Sequence, residues 1–210
     1  MIIEITAGRL LRSNTRGCVV GCHIRQSPPD FGAMVRIPMQ DGSIYGLIHD
    51  IHIDDDGLVR QLAAAENISA EVILDNRLNR NTPVEMSILF IGYDQNGRVT
   101  HLLPPKPPLS LDSMIVCTNE EIRKFTATGR FGYLRSLTAD PNLPVADLLA
   151  AHLQAAYAAQ PQPERQEWKS AAIAAVIIRL RDNHDLLNQA LTAISDAFTP
   201  FQPTLEDETT

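Results

Sequence analysis

The apolar residues of this chain change period once, and that change constrains the fold more than any other feature. Up to about residue 140 they come in short Val/Ile-rich runs parted by turn residues. Beyond Pro141 and Pro144 they recur every three or four positions. Period two marks a strand with one buried face, and a period near 3.6 marks an amphipathic helix. The chain therefore reads as α+β, a small antiparallel β-barrel with a helical insert followed by a C-terminal helical hairpin or bundle. The units run 1–142 for the barrel and 143–198 for the helices, with an acidic, disordered tail over 199–210.

Within the first part, Gly17 to Ile24 reads as a strand. Ala33 to Met39 is a second, Asp41-Gly42 makes a two-residue hairpin turn, and Ser43 to Ile53 is a third strand. Gly46 in the middle of that third strand implies a bulge or a tight bend. Val84 to Tyr93 is the most apolar strand and so the most buried. Asp94 to Gly97 then turns the chain into Arg98 to Leu102, and Ser113 to Cys117 is a last strand. Five or six such strands joined by tight turns imply antiparallel pairing in a barrel or sandwich. Between the third strand and the most apolar one, Leu58 to Glu66 and Ser69 to Leu78 form the helical insert. Leu103 to Pro108 (LPPKPP) holds four prolines in six residues and must be stiff and extended. After it, Asn119 caps a short helix from Glu120 to Thr126.

In the second part, Val145 to Tyr157 places Leu149, His152, Leu153 and Ala156 on one face. Glu164 to Arg181 carries Trp168, Ala172, Ala175, Val176 and Ile178. His184 to Phe198 carries Leu187, Ala190, Leu191, Ile194 and Phe198. Such Ala-rich helices pack closely.

Charge follows the same division. Residues 1–142 carry 14 basic and 16 acidic side chains, and residues 143–210 carry 4 and 9, so most of the net charge of −7 lies in the second part, helices and tail together. That sign opposes a generic nucleic-acid coat. The aromatic content of 5% opposes stacking platforms for single strands. The one locally basic stretch is Arg9, Arg12, Arg16 and Arg25, read either as a solvated loop and strand edge or as a contact for an acidic surface or phosphate. Cys18, Cys22 and Cys117 read as reduced thiols. No stretch has the length of a membrane span, and Met1 to Ile5 lacks the basic start of a signal peptide, so the expected location is the cytoplasm.

Catalytic motifs are missing: there is no phosphate-binding P-loop, no dinucleotide fingerprint, no nucleophile elbow and no H-E-x-x-H. The densest polar cluster runs from His49 to Gly57. Read as a calcium loop it fails, because His52 and Ala63 fall where oxygen ligands are needed. Asp50, His52 and Asp54 share one face of a strand and are the only metal candidates. His49 points the other way as a half-buried histidine. These residues point away from a stand-alone enzyme, and no cofactor is implied.

Some of these segments also carry a resemblance. Gly17-Cys18-Val19-Val20-Gly21, the aliphatic strand after it, and Tyr45-Gly46-Leu47-Ile48 resemble the β-barrel shared by HerA-type DNA-translocating ATPases and ATP synthase catalytic subunits, the HAS barrel. The proline run Leu103 to Pro108 is similar to that of the small stand-alone HAS-barrel proteins of cyanobacteria and their relatives. So are Val116-Cys117, Glu120 to Phe125 and a turn at Leu134-Arg135-Ser136-Leu137. The resemblance covers about residues 15–198. It implies a role in ring assembly and in docking a partner such as a nuclease. The motor domain and its phosphate loop are missing here, so ATP hydrolysis is not implied.

The expected function is therefore a non-catalytic interaction and assembly module that binds or caps a HerA-like ATPase or a similar complex. The contacts would run through barrel edges and through Pro104, Pro105, Lys106, Pro107 and Pro108, with the four arginines as further contact residues. The alternatives are a weak nucleic-acid-binding barrel resting on those arginines, and a metal-dependent enzyme at Asp50, His52 and Asp54. Open barrel edges and an Ala-rich helical face also suit a homo-oligomer.

Overall fold

A computed structural model describes residues 6–22, 28–53, 58–65, 67–79 and 84–199. Arg25, Asp54 and residues 200–210 of the expected tail lie outside them. The strands are β1 (Thr6–Ser13), β2 (Gly17–Cys22), β3 (Met34–Met39), β4 (Gly42–Ile53), β5 (Val84–Gln95), β6 (Arg98–Thr100) and β7 (Ser113–Val116). They pair in the order β2-β1-β7-β3-β4-β5-β6, and β2 also pairs with β5. That last pairing closes six strands into an antiparallel barrel and leaves β6 as a hairpin arm on β5. The expected open edges are thus absent from the ring itself: closure pairs the backbone groups an edge would expose.

The strand β1 was not expected. Its exposed positions include Arg9, Leu11 and Arg12, and its register slips between Leu10 and Arg12, which breaks the period-two pattern. The β3–β4 turn lies at Gln40-Asp41, with Met39 opposite Gly42, one residue earlier than expected. The β5–β6 turn places Asn96 at φ 53° and Gly97 at φ 80°, the two left-handed residues that a tight hairpin needs. The bulge expected at Gly46 is present as a register slip between Tyr45 and Gly46. A Cβ at Gly46 would lie 2.4 Å from a methyl carbon of Ile88.

The apolar residues sort into two clusters. One fills the barrel: Leu10, Val20, Val35, Ile37, Ile48, Met86, Phe90 and their neighbours, with Cys18 and Cys22 on the inner face of β2. The other lies outside the wall made by β3, β4 and β5, where Met34, Tyr45, Leu47, Leu89 and Ile91 meet the helices. That wall is buried on both faces, which explains why β5 reads as a nearly continuous apolar run. Burial pushes the Cys18 thiol up to about 12 and raises that of Cys22, so both stay protonated at neutral pH.

The helices are α1 (Leu58–Ala63) and α2 (Ala70–Asn79) of the insert, then α3 (Asn119–Ala127), α4 (Leu134–Thr138), α5 (Val145–Ala159), α6 (Arg165–Leu180) and α7 (His184–Phe198). Thr118, and not Asn119, caps α3. Its side chain accepts from the Glu121 N–H while the Glu121 carboxylate accepts from the Thr118 N–H at 2.7 Å, a complete capping box. The same Glu121 reaches Arg36 on β3, with Nε and Oε1 2.6 Å apart, and so ties α3 to the barrel wall. Residues 134–137, expected as a turn, form most of α4. The outer apolar cluster runs without a break from the barrel wall through α3 and α5 to α6 and α7. Ile178 is the exception among the expected helix-face residues: it is 67% exposed on the outer side of α6. Among the described residues no helix is long and apolar enough to cross a membrane.

Phe125 of α3 sits against Gly92 of β5. A Cβ at Gly92 would lie 2.9 Å from the Phe125 ring and 2.6 Å from the Thr100 carbonyl oxygen. Gly92→Ala is therefore expected to destabilise the fold by about 1–3 kcal/mol through overpacking. Urea unfolding checks this, and an unchanged midpoint would show that the seat can open.

Candidate interaction surface

The proline segment leaves β6 and is held at both ends. At its start His101 is buried, with Nε2 3.2 Å from the Phe125 carbonyl oxygen, and the Arg135 guanidinium donates to the His101 carbonyl. Burial holds the His101 imidazolium below its ordinary pKa, so the ring is neutral at pH 7. Pro104 and Pro108 are buried, whereas Pro105, Lys106 and Pro107 between them are exposed. Two buried prolines thus anchor an exposed Pro-Lys-Pro tip.

The far end is pinned more densely. The Ser13 hydroxyl donates to the Pro108 carbonyl at 2.5 Å. The Asp112 carboxylate accepts from the Leu109 N–H at 2.8 Å. Backbone bonds join Leu111 N–H to Leu10 O at 2.8 Å and Leu10 N–H to Asp112 O at 3.0 Å. Leu111 takes a left-handed φ of 71°, an uncommon conformation for this residue type, and the bonds around it hold it there. The outcome is that Leu109 and Leu111 stand out from the surface, 73% and 68% exposed, with Leu102 and Leu103 exposed at the other end of the segment. Bonds of this kind fix the backbone of the loop before any partner arrives.

Among the described residues, Arg9 lies apart from Arg12 and Arg16, and each of the three has its own partner. Arg9 belongs to the pinned loop, donating to the Leu111 carbonyl at 3.1 Å and to Ser113 Oγ at 3.2 Å. Arg12 pairs with Glu85 at 3.4 Å, and Arg16 pairs with Asp140 at 3.5 Å. Arg12 and Arg16 line a hollow of about 370 Å³ together with His49, where each cation is partly neutralised by its carboxylate. Burial lowers the pKa of His49, so that ring adds no charge at neutral pH.

For the metal candidates, Asp50 Oδ2 and His52 Nδ1 lie 3.5 Å apart, and His52 Nε2 lies 3.7 Å from Glu85 Oε2. Asp54 lies outside the described residues. Among the described residues no three His, Cys, Asp or Glu side chains converge on a point that could hold a metal ion. Trp168 packs edge-on against Phe131, their centroids 5.6 Å apart.

Leu109, Leu111 and the Ser13 anchor were missed as site residues. The available signal was two leucines in a short polar stretch directly after four prolines, with Asp112 placed to bond a backbone N–H three residues earlier.

The site is thus an exposed apolar loop on the flank of a closed barrel braced by helices. No family model matches this chain, and no curated protein matches it.

Proposed function

We propose that this chain is a non-catalytic interaction and assembly module. It binds or caps a HerA-like DNA-translocating ATPase, or a similar complex that includes an associated nuclease, through the loop from Leu102 to Leu111. The observation that carries this reading is the pair Leu109 and Leu111, large apolar side chains held in solvent by a dense set of backbone bonds. Exposed leucines grouped on a stiff loop mark a contact for another macromolecule, because burying them is favourable and little ordering entropy is lost. The likeness of the barrel strands and the proline run to HAS-barrel proteins supports an ATPase assembly as the partner.

The test is co-purification with the tagged full chain from its source cells. An ATPase or DNA-processing protein is expected with the wild type, and its recovery should fall at least tenfold for the pair Leu109→Asp and Leu111→Asp. Both side chains are exposed, and Asp accepts a left-handed φ more readily than Leu, so the fold is retained. Repeated recovery of no ATPase or DNA-processing protein would overturn the reading.

A further inference from the structure

Beside the proline segment lies a groove of about 530 Å³, lined on one side by the β3–β4 turn and on the other by Pro104, Pro105 and Lys106. Its apolar lining includes Met39, Ile44, Tyr93 and Leu109. Its charge is one-sided. Asp41, Asp94 and Asp112 all line it, and Lys106 is the one cation among them. Two of these carboxylates are held in place by neutral donors alone. Asp94 accepts from the Ser43 N–H at 2.7 Å and lies 3.5 Å from the Tyr45 hydroxyl, while Asp112 accepts from the Leu109 N–H. Among the described residues none of the three is paired with an Arg or Lys.

We infer that this groove binds an extended segment of a protein partner that carries Arg or Lys beside an apolar side chain. The inference rests on the reading above and names the chemistry of the partner. Covering the groove strips water from two fixed carboxylates, and a neutral or acidic segment would leave them uncompensated. A cationic side chain supplies the missing charge, while its apolar neighbour is buried against Tyr93, Met39 and Leu109. Prolines on one side remove backbone donors there, so selection falls to the side chains. An acidic partner or a phosphate backbone is repelled from this groove by the same charges.

The test is to pan a phage-displayed random dodecapeptide library on the full chain and to measure the leading synthetic peptide by fluorescence polarisation. Selected peptides are expected to share one or two Arg or Lys next to Leu, Ile, Val or an aromatic residue. Asp41 is exposed and lies in the turn, so Asp41→Lys keeps the fold; it should weaken binding at least tenfold. Lys106→Glu should tighten it severalfold, and raised salt should weaken it. An unchanged far-UV spectrum and unfolding midpoint separate these effects from misfolding. No enriched peptide, an acidic or uncharged consensus, or indifference to both charge reversals would overturn the inference. Recovery of the ATPase with no basic consensus removes this inference and leaves the assembly reading. A basic consensus without any ATPase removes the assembly reading and leaves the groove.

Discussion

Replacing Phe125 with alanine is expected to cost about 3–5 kcal/mol of stability. Phe125 is fully buried at the joint between helices and barrel. Its ring centroid lies 4.9 Å from that of Tyr45, 4.7 Å from His101 and 5.5 Å from Tyr133. The size of the loss depends on whether neighbours can fill the space. Here they are held back. Gly92 has no side chain to offer, and the hydroxyls of Tyr45 and Tyr133 are engaged with Asp94 and His152. The cavity should therefore persist, which places the cost in the upper part of the range for aromatic truncation. The barrel interior is a separate cluster that Phe125 does not enter. Urea unfolding followed by tyrosine circular dichroism measures the effect. A cost under about 1 kcal/mol would show that Phe125 does not hold the helices to the wall.

The second large effect is acid destabilisation through His152. This residue of α5 is fully buried, and its Nε2 is 3.0 Å from the Tyr133 hydroxyl. Burial lowers its pKa to about 4. In the unfolded chain the ordinary value is about 6.5. Above pH 6.5 both states are neutral at this site and stability is complete. As pH falls from 6.5 towards 4, the unfolded chain takes up a proton that the folded chain refuses, so stability drops by about 1.4 kcal/mol per unit. Below pH 4 the folded form is protonated too and the loss levels off near about 3 kcal/mol. The burial-lowered pKa values of His49 and His101 add to the slope in the same sense. His152→Gln can still bond the Tyr133 hydroxyl and does not titrate, so its stability should vary much less over this window. Equilibrium unfolding at half-unit steps from pH 7.5 to 4 decides. Equal slopes for wild type and variant would exclude His152 as the group responsible.

Much of the barrel was legible in local signals. The runs at β2, β3, β4 and β5, the Asn96-Gly97 turn and the Gly46 bulge all follow from the chemistry of a few adjacent residues. β1 was not legible, because a slipped register and exposed arginines hide its alternation. Residue type alone puts the cap of α3 one residue late: Asn119 and Thr118 are both good capping residues, and only the reciprocal bond with Glu121 distinguishes them. Ile178 fits an apolar stripe by spacing, yet it is 67% exposed among the described residues, since spacing gives a face without saying what covers it.

The candidate surface divides in the same way. That Leu103 to Pro108 would be stiff follows from proline's fixed φ and lost donor. Which prolines anchor it and which stand out depends on Ser13 and on the barrel wall beneath, 95 residues away in the case of the Ser13 to Pro108 bond. The four arginines look alike in sequence, but only folding assigns Arg12 to Glu85 and Arg16 to Asp140 and leaves Arg9 in the loop.

The change of period near Pro141 and Pro144 determined by itself that all the barrel strands lie before it and that the three long helices α5, α6 and α7 follow, because periodicity is a property of neighbouring residues. Closure of the barrel, the double burial of its β3–β4–β5 wall and the three carboxylates gathered beside the proline segment were decided only in the tertiary structure. Each of these depends on residues far apart in the chain, whose proximity is set by strand pairing and packing, and local pattern carries no record of that distance.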